Sequence, residues 1–278
     1  MARRTCLVTG AGSGVGRATA LLLDTSGDWR LALVGRTRST LRDTASQLAS
    51  DHVVIECDLA APGAATRAAE EVRRFCGVGR GLDAIVNAAG VAPRSPVAST
   101  GEAALREAFG ANAVGPALLV AALWGPLVLA RGRVVNVSSF SAVDPFSGFL
   151  AYGASKAALE SMTRSVNVEG GPVGVKAHTL RLGAVETPML RRLFDEATLP
   201  RSDALSPEAA AAEIRAVLSG SRDDRVGGEP LELVVAPKDG RTFDPLPARA
   251  PDPAPPGPAG SPGRPPRWHL PNFFESSP

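Results

Sequence analysis

The chain has 278 residues, enough for one large or two small domains, and 44% of them are hydrophobic, ample for a packed core. Its formal net charge of +2 gives no global excess that would direct it to nucleic acid or to a membrane surface. Three cysteines, Cys6, Cys57 and Cys76, are odd in number and show no CxxC spacing; they read as small buried hydrophobes in a reducing compartment, and no metal is expected.

Arg4 to Thr9 is a short apolar strand, followed by Gly10-Ala-Gly12-Ser-Gly14-Val-Gly16 and a helical run from Val15 to about Asp24. No secretory signal is visible in the residues before it, and none is expected. Strand, glycine-rich turn and helix in this order suit a pyrophosphate. Glycines let backbone N–H groups approach the phosphates, and the helix N-terminus faces the negative charge. Leu31 to Val34 is a second strand, ending in Gly35-Arg36. Arg36 stands where a dinucleotide fold places its ribose-reading group. An acid there binds the 2′-hydroxyl; a cation suits a 2′-phosphate, and Arg38 adds to it.

A helix over Ser39 to Ser50 leads to a third strand, Val53 to Glu56, ending at Cys57-Asp58-Leu59. Gly63 to Cys76 is helical, Leu82 to Val86 is a fourth strand closed by Asn87-Ala88-Ala89-Gly90, and Glu102 to about Ala130 is largely helical. Within it the best membrane-span candidate, Val114 to Ala130, is broken by Gly115, Pro116, Gly125 and Pro126. A cytoplasmic protein is expected. Arg133 to Val137 is a fifth strand that delivers Ser138 and Ser139; a helix over Tyr152 to about Val168 and a sixth strand, Val175 to Leu182, follow. Met189 to Leu199 is a short amphipathic piece. Ser206 to Leu218 is a helix with Ser206 as N-cap and Pro207 in its first turn, and Leu231 to Val235 is a last strand.

Strands alternating with helices imply an α/β fold, a doubly wound parallel sheet with helices on both faces, over residues 1–236. The glycine loop, Arg36, Asp58, Asn87, Ser139 and Thr187 all follow strand ends, so right-handed crossovers collect them at one sheet edge. From Pro237 the character changes: thirteen of the 24 prolines fall in residues 237–278, which are expected to be disordered or polyproline-like.

Tyr152 is the only tyrosine, and Lys156 is one of only three lysines. At i and i+4 they share a helix face. A cation roughly 5 Å from a phenol, at an effective dielectric of about 20, favours phenolate by about 3 kcal/mol, on the order of two pKa units. That is the expectation for Tyr152 as a proton donor and acceptor, with a serine hydroxyl fixing the same substrate oxygen. The plainer alternative is a helix start with a half-buried aromatic.

With these pieces placed, residues 4 to 236 resemble the short-chain dehydrogenase/reductase family, a Rossmann-type single domain. Thr9-Gly10-x-x-x-Gly14-x-Gly16 is similar to its cofactor loop and Asn87-Ala88-Ala89-Gly90 to its central-strand motif, with Ala88 where asparagine is usual. Asn112, Ser139, Tyr152 and Lys156 match its catalytic tetrad, and Asp58 its adenine-contacting aspartate. Val185 and Thr187 match positions that contact the nicotinamide carboxamide, although Leu182 stands where proline is common and is expected to loosen that turn. The cofactor-binding set that the resemblance implies is Gly10, Ser13, Gly14, Val15, Gly16, Arg36, Asp58, Leu59, Asn87, Ala88, Gly90, Tyr152, Lys156, Val185 and Thr187. Ser13 replaces a basic residue of some NADP(H)-dependent members, so a preference for NADP(H) over NAD(H) rests mainly on Arg36.

The implied activity is reversible hydride transfer between a nicotinamide and a carbonyl or secondary alcohol. Tyr152 protonates the oxygen, Lys156 lowers its pKa and holds the ribose, Ser139 orients the carbonyl, and Asn112 keeps a helix kinked and a water in place. The small-molecule substrate stays open; Pro188 to Leu205 is expected as a lid, with Phe140, Phe146, Phe149, Leu150, Met189, Leu193 and Phe194 as an apolar pocket. A homodimer or homotetramer through the helices at 102–130 and 152–168 is implied. The alternative from another class is a catalytically silent NADP(H)-binding sensor or scaffold whose aromatic tail, Trp268 to Phe274, recruits a partner.

Overall fold

RTCLVT, WRLALVG and RVVNVSS are near-continuous apolar runs buried on successive residues, the pattern of parallel strands covered on both faces. The computed structural model describes residues 3–223 and 230–233. Its strands are β1 (Arg4–Thr9), β2 (Trp29–Gly35), β3 (His52–Glu56), β4 (Ala84–Asn87), β5 (Arg133–Ser139), β6 (Lys176–Leu182) and β7 (Leu231–Leu233). They form a single sheet in the order β3-β2-β1-β4-β5-β6-β7, every neighbouring pair parallel. Strand order reverses between β1 and β4, and open α/β sheets bind ligands beyond the carboxyl ends of the strands at such a point.

The helices are α1 (Gly14–Asp24), α2 (Arg38–Ala45), α3 (Ala64–Cys76), α4 (Glu102–Phe109), α5 (Gly115–Ala122), α6 (Trp124–Ala130), α7 (Leu150–Gly170), α8 (Pro188–Leu193) and α9 (Pro207–Leu218). Alternation along the strands divides the core into two layers. Cys6, Val8, Leu31, Leu33 and Val86 face Leu23 of α1 and Ile214 and Val217 of α9. Leu7, Ala32, Val34, Ile85 and Val134 face Ala69 and Val72 of α3, Leu119 of α5 and Val166 of α7. The three cysteines are buried free thiols, two in the second layer and Cys6 in the first.

Three elements differ from expectation. The helix expected over Ser39 to Ser50 ends at Ala45, because the Asp24 carboxylate accepts the amides of Ala49 and Ser50 at 3.0 and 2.8 Å and draws that segment into a turn. The long helix expected over 102–130 is three helices. A π turn, Gly110–Val114, separates α4 from α5, and α6 is bent away by 62° at Leu123. Among the described residues no single helix is long and apolar enough to cross a membrane. Tyr152 lies inside α7, which begins two residues earlier at Leu150. Ser206 caps α9 as expected, accepting the Ala209 amide at 3.1 Å, with Pro207 in the first turn. Residues 234–235 of the expected last strand and the whole stretch from Pro237 lie outside the described residues.

Candidate active site

The glycine loop closes tightly on itself and on the end of β4. Gly10 and Gly14 have φ of 68° and 51°, conformations that favour glycine. A Cβ on Gly10 would lie 2.9 Å from the Ala89 backbone, one on Gly16 2.4 Å from the Gly10 carbonyl, and one on Gly14 2.9 Å from the Thr187 methyl. Thr9 secures this arrangement: its hydroxyl accepts the amides of Ala88 and Ala89 at 3.1 and 3.0 Å. The first turn of α1 carries no acid, so its backbone N–H groups present an uncontested positive end to an anion. Close backbone approach and a helix N-terminus together fit a dinucleotide diphosphate.

Arg36 is exposed just past β2, and no acid pairs with it among the described residues; Arg38 is held at 3.8 Å by Glu56 of β3. Asp58 is exposed past β3, its carboxylate accepting the Ala60 amide at 3.0 Å. Leu59 is buried, so close to α5 that a Cβ on Gly115 would lie 2.7 Å from its own. Asn87 is buried and donates to Asn136 at 2.8 Å; Asn136 donates to Thr163, which accepts from Thr179 as well, each at 2.9 Å. This polar chain ties β4, β5, α7 and β6 together where Ala88 offers no side-chain amide.

The turn after Leu182 differs from expectation. Leu182 continues the ladder, opposite Ser139 of β5 and Leu233 of β7. The chain beyond is pinned to Leu205, whose N–H donates to the Ala184 carbonyl at 2.9 Å and whose carbonyl accepts from Glu186 at 2.8 Å. Backbone pairing thus supplies the rigidity that a proline would have given. Thr187 caps α8, accepting the Leu190 amide at 3.2 Å, and Val185 is buried.

Asn112 sits fully buried in the π turn. It donates to the Val91 carbonyl and to Ser155 at 2.9 Å each and accepts the Val91 amide at 2.8 Å. Ser155 in turn donates to the Tyr152 carbonyl at 2.7 Å, so Asn112 is coupled to the first turns of α7. A Cβ on Gly90 would lie 3.1 Å from the Asn112 carboxamide oxygen and 3.5 Å from the Lys156 ammonium; glycine is what lets these two groups approach the β4 loop.

Tyr152, Lys156 and Ser139 converge. The Lys156 ammonium lies 5.9 Å from the centre of the Tyr152 ring and donates to the Val137 carbonyl at 2.8 Å. Ser139 accepts the Ser141 amide at 3.2 Å, and its hydroxyl is near enough to the phenol to act on its pKa. The expected acidification of the phenol is not what the environment produces. Burial raises the Tyr152 pKa above its ordinary value, against a lowering by Ser139. Burial also depresses Lys156 to about 8, with Glu160 opposing. Lys156 is buried and Tyr152 half-buried, and loss of hydration disfavours the charged form of each.

A stability prediction follows. Lys156 falls from 10.5 unfolded to about 8 folded, so between those values the unfolded chain binds more protons. Stability therefore rises with pH across that window, by about 3 kcal/mol for this group. Urea unfolding without added nucleotide should show the wild type gaining on Lys156→Met from pH 8 to 10.5; parallel curves would contradict it.

Two buried residues escaped the sequence reading. Arg181 of β6 forms a bidentate pair with Glu160 of α7, at 3.1 and 2.7 Å, and Ser138 donates to the same carboxylate at 2.7 Å. Their signal was faint: an acid one turn after Lys156, and one cation in an otherwise apolar strand end.

Residues 4–198 match the family model described as short chain dehydrogenase. The chain belongs to the short-chain dehydrogenase family. Protein FixR of Bradyrhizobium diazoefficiens is 34% identical over 195 residues, covering 67% of this chain and 69% of that protein. A bovine (Bos taurus) 3-oxoacyl-[acyl-carrier-protein] reductase is 30% identical over 194 residues, covering 69% and 80%. A solved short chain dehydrogenase/reductase family protein superposes with a TM-score of 0.74 at 28% identity, covering 83% of this chain and 96% of that one. Short-chain dehydrogenases are oxidoreductases that act on CH–OH or carbonyl groups with a nicotinamide dinucleotide, and this chain is an enzyme of that kind.

Proposed function

We propose that this oxidoreductase is NADP(H)-dependent and interconverts a carbonyl and an alcohol, with Tyr152 as the general acid and base. The observation that carries the reading is the convergence of Ser139, Tyr152 and Lys156 beside a glycine loop shaped for a diphosphate. The dinucleotide, when bound, supplies or accepts the hydride. A phenol whose pKa is raised by burial stays protonated at neutral pH and donates its proton to a carbonyl oxygen. Ser139 hydrogen-bonds the same oxygen and orients it. Lys156, held by the Val137 carbonyl, stabilises the phenolate that proton donation leaves behind. Asn112 keeps the π turn and the start of α7 in register through Val91 and Ser155. The glycine loop, Asp58, Asn87 and Gly90, Val185 and Thr187 line the dinucleotide's path. The test is oxidation of NADPH with a panel of ketones, aldehydes and diketones; nucleotide binding without oxidation of any of them would favour the sensor alternative.

The NADP(H) preference rests on Arg36, the exposed cation past β2 with no acid partner among the described residues. Charge-assisted hydrogen bonds to a 2′-phosphate contribute about 1.5–3 kcal/mol, so Arg36→Asp should weaken NADPH about ten- to a hundredfold and leave NADH preferred. Paired nucleotide titrations measure this, and wild-type protein that already favours NADH contradicts it. Pairing of two copies through α5 and α7 is part of the proposal. Val114, Leu118 and Val168 are apolar and exposed by 50%, 47% and 77% on these helices and the adjoining π turn.

A further inference from the structure

Arg94 lies in the loop after β4, four residues past Gly90. Its guanidinium carbon is 5.9 Å from the centre of the Phe149 ring and 5.8 Å from that of Phe194. These rings are stacked, 6.3 Å apart and 10° from parallel. Phe149 in turn meets the Tyr152 ring edge-on at 5.8 Å. Phe149 thus neighbours both the cation and the Tyr152 ring. Three segments meet at it: the loop after β4, the entry to α7 and the residue that ends α8.

The side chain is held rather than trailing. The Ser95 amide donates to the Gly148 carbonyl at 3.0 Å. Gly148 has φ of 82°, and a Cβ there would lie 3.0 Å from the Arg94 Cγ and 3.4 Å from its Nε, so glycine leaves the room in which the arginine lies. No acid pairs with Arg94 among the described residues. The nearby acids of the α8 region have other partners: Glu186 binds Arg191, Asp195 accepts from Thr198, and Glu196 binds Arg201. Nine arginines form ion pairs among the described residues; Arg94 is not one of them and lies exposed against the Phe149 and Phe194 rings.

We propose that Arg94 is a specificity-determining residue that selects carbonyl substrates bearing an oxyanion, a carboxylate or a phosphate, at the end remote from the reacting carbonyl. The inference rests on Tyr152 acting at the carbonyl, as proposed above. An arginine fork matches the two oxygens of such a group, and stacking on Phe149 and Phe194 pre-orders the fork, which reduces the entropy lost on binding.

The test compares kcat/KM for oxo acids of graded length, beginning with 4-oxopentanoate, with that for their methyl esters. A second arm compares acetoacetyl-coenzyme A with the neutral acetoacetyl-N-acetylcysteamine, which separates a phosphate from a carboxylate. The acid-to-ester or coenzyme-to-cysteamine ratio should exceed one. It should fall about tenfold or more in Arg94→Gln, invert in Arg94→Glu, and decline with added salt. Ratios that are unchanged in both variants, with neutral substrates still reduced, overturn the role of Arg94 and leave the reductase reading standing. Failure to reduce any of these compounds, neutral or charged, overturns both.

Discussion

Tyr152→Phe is expected to fold normally, bind the dinucleotide and lose turnover by on the order of a hundred- to ten-thousandfold, the scale of a lost general acid. The substitution removes one oxygen and leaves the ring, which packs edge-on against Phe149 at 5.8 Å and 66°. The backbone around it is held independently of the hydroxyl, since Ser155 donates to the Tyr152 carbonyl and Asn112 donates to Ser155. What disappears is the hydroxyl proposed as the proton donor, whose pKa burial raises. Circular dichroism, nucleotide fluorescence and steady-state reduction of the best substrate found for the wild type separate the three properties. Turnover within tenfold of the wild type would remove Tyr152 from the chemistry.

Arg181→Ala should cost about 3–5 kcal/mol of stability, the scale of breaking a buried ion pair from one side. The two side chains are only 10% and 7% exposed. Without the guanidinium, the Glu160 carboxylate stays in a dry site with the Ser138 hydroxyl as its remaining hydrogen-bond donor among the described residues. The damage should reach the active site. Arg181 stands opposite Ser138 in the sheet, next to the Ser139–Leu182 pair, and Glu160 is one turn from Lys156. Replacing both partners by apolar residues, Arg181→Met with Glu160→Leu, should restore much of the loss, because no unpaired buried charge then remains. Urea unfolding of the single and double variants measures both steps. A single variant that loses less than about 1 kcal/mol would show that water or a neighbour already compensates the carboxylate.

Local patterns made much of this enzyme readable. Runs rich in β-branched residues, such as RTCLVT and RVVNVSS, mark strands, and their alternation with helical runs leads directly to the parallel sheet. The glycine loop and the i, i+4 pair of Tyr152 and Lys156 are equally local, since a turn and a helix face need only neighbouring residues. Ser206 and Pro207 marked the start of α9 for the same reason.

Contacts between residues far apart in the chain were beyond such reading. The Asp24 carboxylate that ends α2 early acts on amides 25 and 26 residues away. The sequence suggested an acidified phenol from the distance between two side chains on one helix. The direction of its pKa was decided by loss of hydration in the folded chain, against a lowering by Ser139. Turn and helix signals are short-ranged, so the chain alone determined the sheet, the diphosphate loop and the Tyr-x-x-x-Lys face. Desolvation and ion pairing depend on which distant segments close over a group, so only the tertiary structure decided the direction of the phenol's pKa, the Glu160–Arg181 pair and the placement of Arg94 against Phe149 and Phe194.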